Sequence, residues 1–192
     1  MGWLGPVAMS AHQVAIVLAS VTYMVPLGVS GAAAVLVGQA VGRGTPEEVR
    51  RSAGSALVCG GGFMALCAVL LVGLPGPLAA VFTVDPEVRA LAAVLIPVAG
   101  FFQVFDGLQV VSAGVLRGLG DTRVPMVVNL AGFWCVGLPV SLLLGFRFGL
   151  GPTGLWWGLV AGLGVVAALL LARVATRLRG PMQRVVIDRA GQ

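Results

Sequence analysis

Lysine is missing from this chain of 192 residues, histidine and tyrosine occur once each, and no charged side chain precedes Arg43. Twelve arginines and seven acids carry all of its formal charge. A soluble globule of this size has a surface to hydrate, and so few charges do not suffice for it. They are also clumped: none lies between Arg51 and Asp85 or between Arg147 and Arg173. Uncharged stretches of this length in a chain that is 58% hydrophobic, with a mean hydropathy of +1.02, are membrane spans. A single histidine and three scattered cysteines, Cys59, Cys67 and Cys135, exclude a metal-ligand cluster and a disulfide framework. No nucleophile–base pair is present, so the chain does not read as an enzyme and needs no cofactor. No basic region precedes the first apolar stretch and no cleavage pattern follows it, which argues against a removable signal peptide.

What remains predicts an all-α polytopic bundle of about five spans. They fall at about 12–41, 52–74, 88–116, 124–146 and 153–175, making residues 1–175 a transmembrane bundle and 176–192 a basic tail. Pro26 lies inside the first span, where a missing amide hydrogen bends a helix. Met1 to Ala11 is too short to cross a bilayer. The arginines alternate between ends. Arg43, Arg50, Arg51, Arg117, Arg123, Arg173, Arg177, Arg179, Arg184 and Arg189 belong to one set of loops, and only Arg89 and Arg147 to the other. By the positive-inside rule the first set, with the C-terminus, is cytoplasmic. The same rule explains the basic balance better than nucleic-acid binding does, so no nucleic-acid partner is expected. Five spans then put the N-terminus outside, which predicts a bundle lacking partner helices that precede it.

Glycine is abundant and ordered. Gly38, Gly42 and Gly44 close the first span, and Gly114, Gly118 and Gly120 close the third at the same spacing, 76 residues later. Such an offset fits a repeated helical hairpin, a common build in secondary transporters. Gly154, Gly158 and Gly162 form a ladder on one face of the fifth span, where small residues let backbones approach.

Against this apolar background stands Asp106, in the middle of a span, with Gln103 three residues before it and Gln109 three after. Helical spacing gathers the three into one polar stripe. A carboxylate at that depth costs several kcal/mol unless something pairs with it. Arg117 is eleven residues on, about 16 Å along a helix, so no arginine of its own helix pairs with Asp106. Two roles fit: a proton carrier, or a sodium ligand with the amide oxygens of Gln103 and Gln109. A structural role, paired with an arginine of another helix, is the alternative. Phe102 and Phe105 flank the acid and are candidates for lining an aromatic pocket, as is Asn129 near the start of the fourth span. Other polar groups within spans, including Thr22, Tyr23, Ser30 and Ser141, are expected to hydrogen-bond between helices. His12 is expected at the membrane edge, and Trp134, Trp156 and Trp157 in interfacial anchoring or packing.

Phe105-Asp106-Gly107-Leu108-Gln109, followed by Gly114-Val115-Leu116-Arg117-Gly118-Leu119-Gly120-Asp121-Thr122-Arg123-Val124-Pro125, resembles the tenth helix and following loop of the multidrug and toxic compound extrusion (MATE) transporters. Ala11-His12-Gln13-Val14-Ala15, with Pro26-Leu27-Gly28-Val29-Ser30 and Val37-Gly38-Gln39-Ala40-Val41-Gly42, resembles their eighth helix. Gly137-Leu138-Pro139 and Gly151-Pro152-Thr153-Gly154-Leu155-Trp156-Trp157-Gly158-Leu159 resemble the eleventh and twelfth. The resemblance implies a cation-coupled antiporter, driven by protons or sodium, that exports cationic amphipathic compounds across a bacterial inner membrane. It also implies twelve helices in two six-helix bundles, of which this chain matches the C-terminal one. The family's acid in the tenth helix, tied to coupling or substrate binding, falls on Asp106. Membrane lipid, the substrate and a separate N-terminal half are the implied partners. The alternatives are a lipid-linked oligosaccharide flippase of the same superfamily, for which the spans are short of arginine, and a truncated fragment that does not transport and serves at most as an assembly subunit.

Overall fold

The computed structural model describes residues 1–180, and they are helical almost throughout. A short 3-10 turn, Gly2–Leu4, leads into α1 (Pro6–Arg43), followed by α2 (Pro46–Gly73), α3 (Pro75–Phe82) and α4 (Pro86–Gly118). The next span is one rod assembled from α5 (Arg123–Ala131), a π-helical stretch (Gly132–Gly137), α6 (Leu138–Leu142) and a second π-helical stretch (Leu143–Arg147). The last helix is α7 (Gly151–Arg179). Five helices are long and apolar enough to cross a membrane: α1, α2, α4, the Arg123–Arg147 rod and α7.

Local sequence explains where these helices start and stop. Proline opens α1, α2, α3 and α4, where the missing amide hydrogen costs nothing and φ is already helical. Asp85 caps α4, its carboxylate accepting from the Glu87 and Val88 amides at 2.9 and 3.3 Å. The helix α1 begins at Pro6 rather than His12, so most of Met1–Ala11 forms its first turns. The eight-residue helix α3 was not foreseen; Pro75 restarts a helix as soon as α2 ends. At the other end α7 runs on to Arg179, past the expected end of the bundle at 175. Arg184 and Arg189 of the expected tail lie outside the described residues.

The hairpin repeat has a structural counterpart. Gly44 and Gly120 both take the left-handed conformation, with φ of 70° and 74°. At the first turn the amide of Gly44 donates to Val41 O at 3.0 Å and that of Thr45 to Ala40 O at 3.2 Å. At the second, Gly120 donates to Arg117 O at 3.0 Å and Asp121 to Leu116 O at 2.8 Å. The same pair of bonds therefore recurs at the same 76-residue offset.

The packing is that of a protein built for lipid. Large apolar side chains face outward: Val58, Val69, Met126 and Trp134 are all more than half exposed. The interior is rich in alanine, valine and glycine. Central α4 packs against α1, α2, α3 and α7. One buried cluster, with Ala11, Ala15, Leu95, Ile96, Ala99 and Trp156, fills one end of the bundle; another, with Ala33, Val37, Val49, Leu116, Val166 and Leu170, fills the arginine-rich end. With no hydrophobic drive between helices in lipid, close approach and dispersion hold such a bundle together. The ladder on α7 shows how close. A β-carbon on Gly154 would sit 2.6 Å from the Leu144 carbonyl, one on Gly162 2.5 Å from Gly137 Cα, and one on Gly158 would collide with Ser141. The facing rod is π-helical on both sides of Pro139, which has no amide hydrogen to continue an ordinary helical ladder.

Candidate functional site

Polar groups bridge the α1–α4 crossing. Ser30 of α1 donates to Val110 O of α4 at 2.7 Å and accepts from Arg117 Nη2 at 2.8 Å. From Val110 toward the middle of α4 the stripe Gln103–Asp106–Gln109 divides among neighbours. Each step of three residues rotates about 60° around the helix, so three such residues cover an arc rather than a line. Gln103, 1% exposed, turns to α1 and accepts from the Thr22 hydroxyl at 2.7 Å, leaving its Nε2 without a partner among the described residues. Gln109 turns to α5 and donates to Asn129 Oδ1 at 2.5 Å, and Asn129 in turn donates to Pro125 O at 2.9 Å.

Asp106 faces neither. It borders a cavity of about 290 Å³ between α1, α4 and α7, whose walls include Ser20, Tyr23 and Met24 of α1, Phe102 of α4, and Trp156 and Leu159 of α7. Among the described residues no group hydrogen-bonds to its carboxylate and no arginine pairs with it. Arg117, the cation nearest in sequence, is engaged by Ser30. The site is thus an uncompensated carboxylate beside aromatic rings and a tyrosine, within a membrane-spanning helix.

The other expected residues fall out as follows. Phe102 lines the cavity and meets Trp156 edge-on, with ring centroids 5.6 Å apart. Phe105 does not border it; its ring lies over Gly164 of α7, where a β-carbon would be 3.9 Å away. Asn129 also lies elsewhere, as Gln109's partner. Trp156 is no interfacial anchor: it is 1% exposed, wedged between His12 and Phe102, while Trp134 is 65% exposed. Tyr23, Met24 and Trp156 are wall residues that spacing alone could not assign, because they come from helices distant in sequence. A second cavity of about 330 Å³, bordered by His12, Phe133, Trp134 and Leu142, contains no acid. No group of three or more metal-ligating side chains occurs among the described residues.

Away from the spans, the loop after α4 is clasped to the end of α7. Asp121 Oδ2 accepts from Arg173 Nε at 2.9 Å, Arg173 Nη2 at 2.8 Å and Arg177 Nε at 3.1 Å. Burial pushes the Asp121 carboxyl up, but the Arg173 hydrogen bond, the two guanidinium charges and the Val124 amide outweigh it and hold the carboxyl below its ordinary value. Close by, Arg50 Nε donates to Leu178 O at 3.0 Å.

Comparison with known proteins bears on the family and the fold. The MatE family model matches residues 1–143. The chain is 48% identical over 178 residues to the probable multidrug resistance protein NorM of Brucella suis biovar 1 (strain 1330), covering 90% of this chain and 38% of that one. It is 44% identical, with the same two coverages, to the multidrug resistance protein NorM of Burkholderia vietnamiensis. The crystal structure of the eukaryotic MATE transporter AtDTX14 superposes with a TM-score of 0.83 at 28% identity, over 90% of this chain and 40% of that one. An inward-facing multidrug resistance MATE transporter of the MOP superfamily shares the fold, with a TM-score of 0.76 at 16% identity over 90% of this chain and 42% of that one. The chain thus spans well under half the length of these relatives. It is a multi-pass membrane protein, and it belongs to the MatE family.

Proposed function

We propose that this chain forms the C-terminal bundle of a cation-coupled multidrug efflux transporter, with Asp106 as its coupling acid. The supporting observation is the carboxylate itself: inside a spanning helix, open to a cavity, and left without an ion-pair partner among the described residues. An acid kept for packing would have its charge answered by a fixed arginine or amide. This one is free to take a proton or a sodium ion and release it again. Tyr23, Phe102 and Trp156 give the cavity walls that suit a cationic, amphipathic compound, whose charge and aromatic surface meet the acid and the rings. Gln103 and Gln109 act as supports, tying α4 to α1 and α5 on either side of the acid. Transport by alternating access also requires an N-terminal bundle. The multidrug resistance names of the NorM relatives and their greater length support that reading. The setting is a bacterial inner membrane, with residues 1–175 spanning it and the arginine-rich end and the C-terminal tail from 176 to 192 on the cytoplasmic side.

The test is ethidium efflux by proteoliposomes holding the two-bundle transporter, under a proton gradient alone and a sodium gradient alone. One gradient drives efflux, and Asp106→Asn reduces the driven component at least tenfold while leaving the protein's elution profile intact. Undiminished efflux by the variant under that gradient removes Asp106 from coupling.

A further inference from the structure

A groove of about 380 Å³ runs between α1 and α2, and its lining shares no residue with the cavity that Asp106 borders. Val29, Ala33 and Leu36 line its α1 side, and Arg51, Ser55 and Cys59 its α2 side. The helices are antiparallel here: Val29 sits beside Gly60, at the deep end, so Leu36 lies at the end that holds Arg51. From Arg51 to Cys59 the groove follows about 12 Å of helix. It therefore has a polar head and an apolar shaft.

Most arginines of this end are engaged, and of those without a hydrogen bond or ion pair among the described residues, Arg51, Arg123 and Arg179, Arg51 is the one that lines the groove. Arg43 is paired with Glu48, Arg50 with the Leu178 carbonyl, Arg117 with Ser30, and Arg173 and Arg177 with Asp121. Arg51 is exposed and has no hydrogen bond or ion pair among the described residues, not even with Glu47 one turn before it. The Ser52 and Ser55 hydroxyls beside it are likewise uncommitted. Arg51 sits about 8 Å below the start of α2, the depth at which an arginine stem lies along the hydrocarbon edge and its head reaches the phosphate layer.

We propose that this groove is a binding site for an anionic phospholipid, its phosphate on Arg51 and the two serine hydroxyls and one acyl chain along Val29, Ala32 and Cys59. Charge complementarity selects the occupant: the groove offers one unanswered cation and two hydroxyl donors above an apolar trough. A basic pocket between helices at the positive end of a membrane protein is the general form of such sites.

Native mass spectrometry of the purified chain in detergent tests this with phosphatidylglycerol and phosphatidylcholine of identical acyl chains. Phosphatidylglycerol binds about fivefold more tightly, the size of one arginine near an anionic surface. Arg51→Gln lowers it to the phosphatidylcholine level, and Arg123→Gln, another arginine of the same end, leaves it unchanged. Because Arg51 makes no hydrogen bond or ion pair among the described residues, the variant keeps the wild-type unfolding temperature, so a loss of binding is not a loss of structure. Equal retention of the two lipids by the wild type, or undiminished phosphatidylglycerol binding by Arg51→Gln, overturns the proposal. Displacement of the lipid by an equal concentration of soluble glycerophosphoglycerol also overturns it, since a site that uses the acyl trough holds the lipid preferentially.

Discussion

Polar side chains inside the membrane cost free energy unless they are paired, and several here bridge neighbouring helices. Thr22 meets Gln103, Ser30 meets Val110 and Arg117, Gln109 meets Asn129, and Ser141 donates to Leu155 O at 3.0 Å. Asp106 has no such partner among the described residues, and neither does the buried Ser112 hydroxyl of the same helix; of the two, Asp106 is the one that borders the cavity. The paired groups contribute modestly, because the helices separated in lipid also find polar partners. A double-mutant cycle on Gln109→Ala and Asn129→Ala is expected to give a coupling of about 0.6 kcal/mol, and no more than about 1.7 kcal/mol, by steric-trap unfolding. A coupling near zero would mean that the bond does not hold α4 to α5. The presence of a polar stripe on α4 was legible in the sequence. Its division among three neighbours was not, because that depends on which helices pack on which side.

Small residues govern the elements. The α7 ladder brings a helix backbone against the π-helical rod around Pro139, and the three glycines are where that rod lies closest. Gly158→Ala puts a methyl group into the Ser141 backbone, so the two elements must separate, at a cost of about 1–3 kcal/mol. Gly28→Ala in α1 is the matched control: a β-carbon there meets nothing within 4 Å, and alanine favours the helix by about 1 kcal/mol. Unfolding temperatures in detergent are expected to fall for the first and to hold or rise for the second. The ladder could be read from spacing, whereas the proline starts of α1, α2 and α4 lie before the expected spans. The helix α3 and the π-helical turns could not be read from spacing. The first is a short restart that hydropathy merges with a loop, and the second reflects how a proline is absorbed once α7 is packed against it.

At the scale of the whole molecule, the arginine-rich end is tied together by Asp121, 6% exposed, with Arg173 and Arg177 around it. These bonds bridge residues more than fifty positions apart, so they fasten the α4–α5 turn to the last helix of the bundle. The arginines are about half exposed, and solvent screens them, so Asp121→Asn is expected to cost about 1 kcal/mol at neutral pH. The sign of the pH dependence follows from the lowered carboxyl. A group whose folded value lies below its ordinary value of 3.8 stabilises the fold above that value and ceases to do so as pH falls through the folded one. The gap in unfolding temperature between wild type and Asp121→Asn should therefore be constant down to about pH 4 and close in more acid solution. A gap that persists in acid would show that the asparagine disturbs packing rather than charge.

The amino-acid sequence by itself determined the solvent, the helical class and the number of spans, because runs of uncharged apolar residues have one stable form in a bilayer. It also determined which acid is expensive, since cost depends on depth in a span and depth follows from position. Tertiary structure decided what surrounds that acid. Tyr23, Met24 and Trp156 reach Asp106 only because α1 and α7 cross α4 at small residues, and Arg117 is diverted to Ser30 by the same crossing. Pairing is a property of neighbours in space, so whether Asp106 stood free or bound was decided by packing alone.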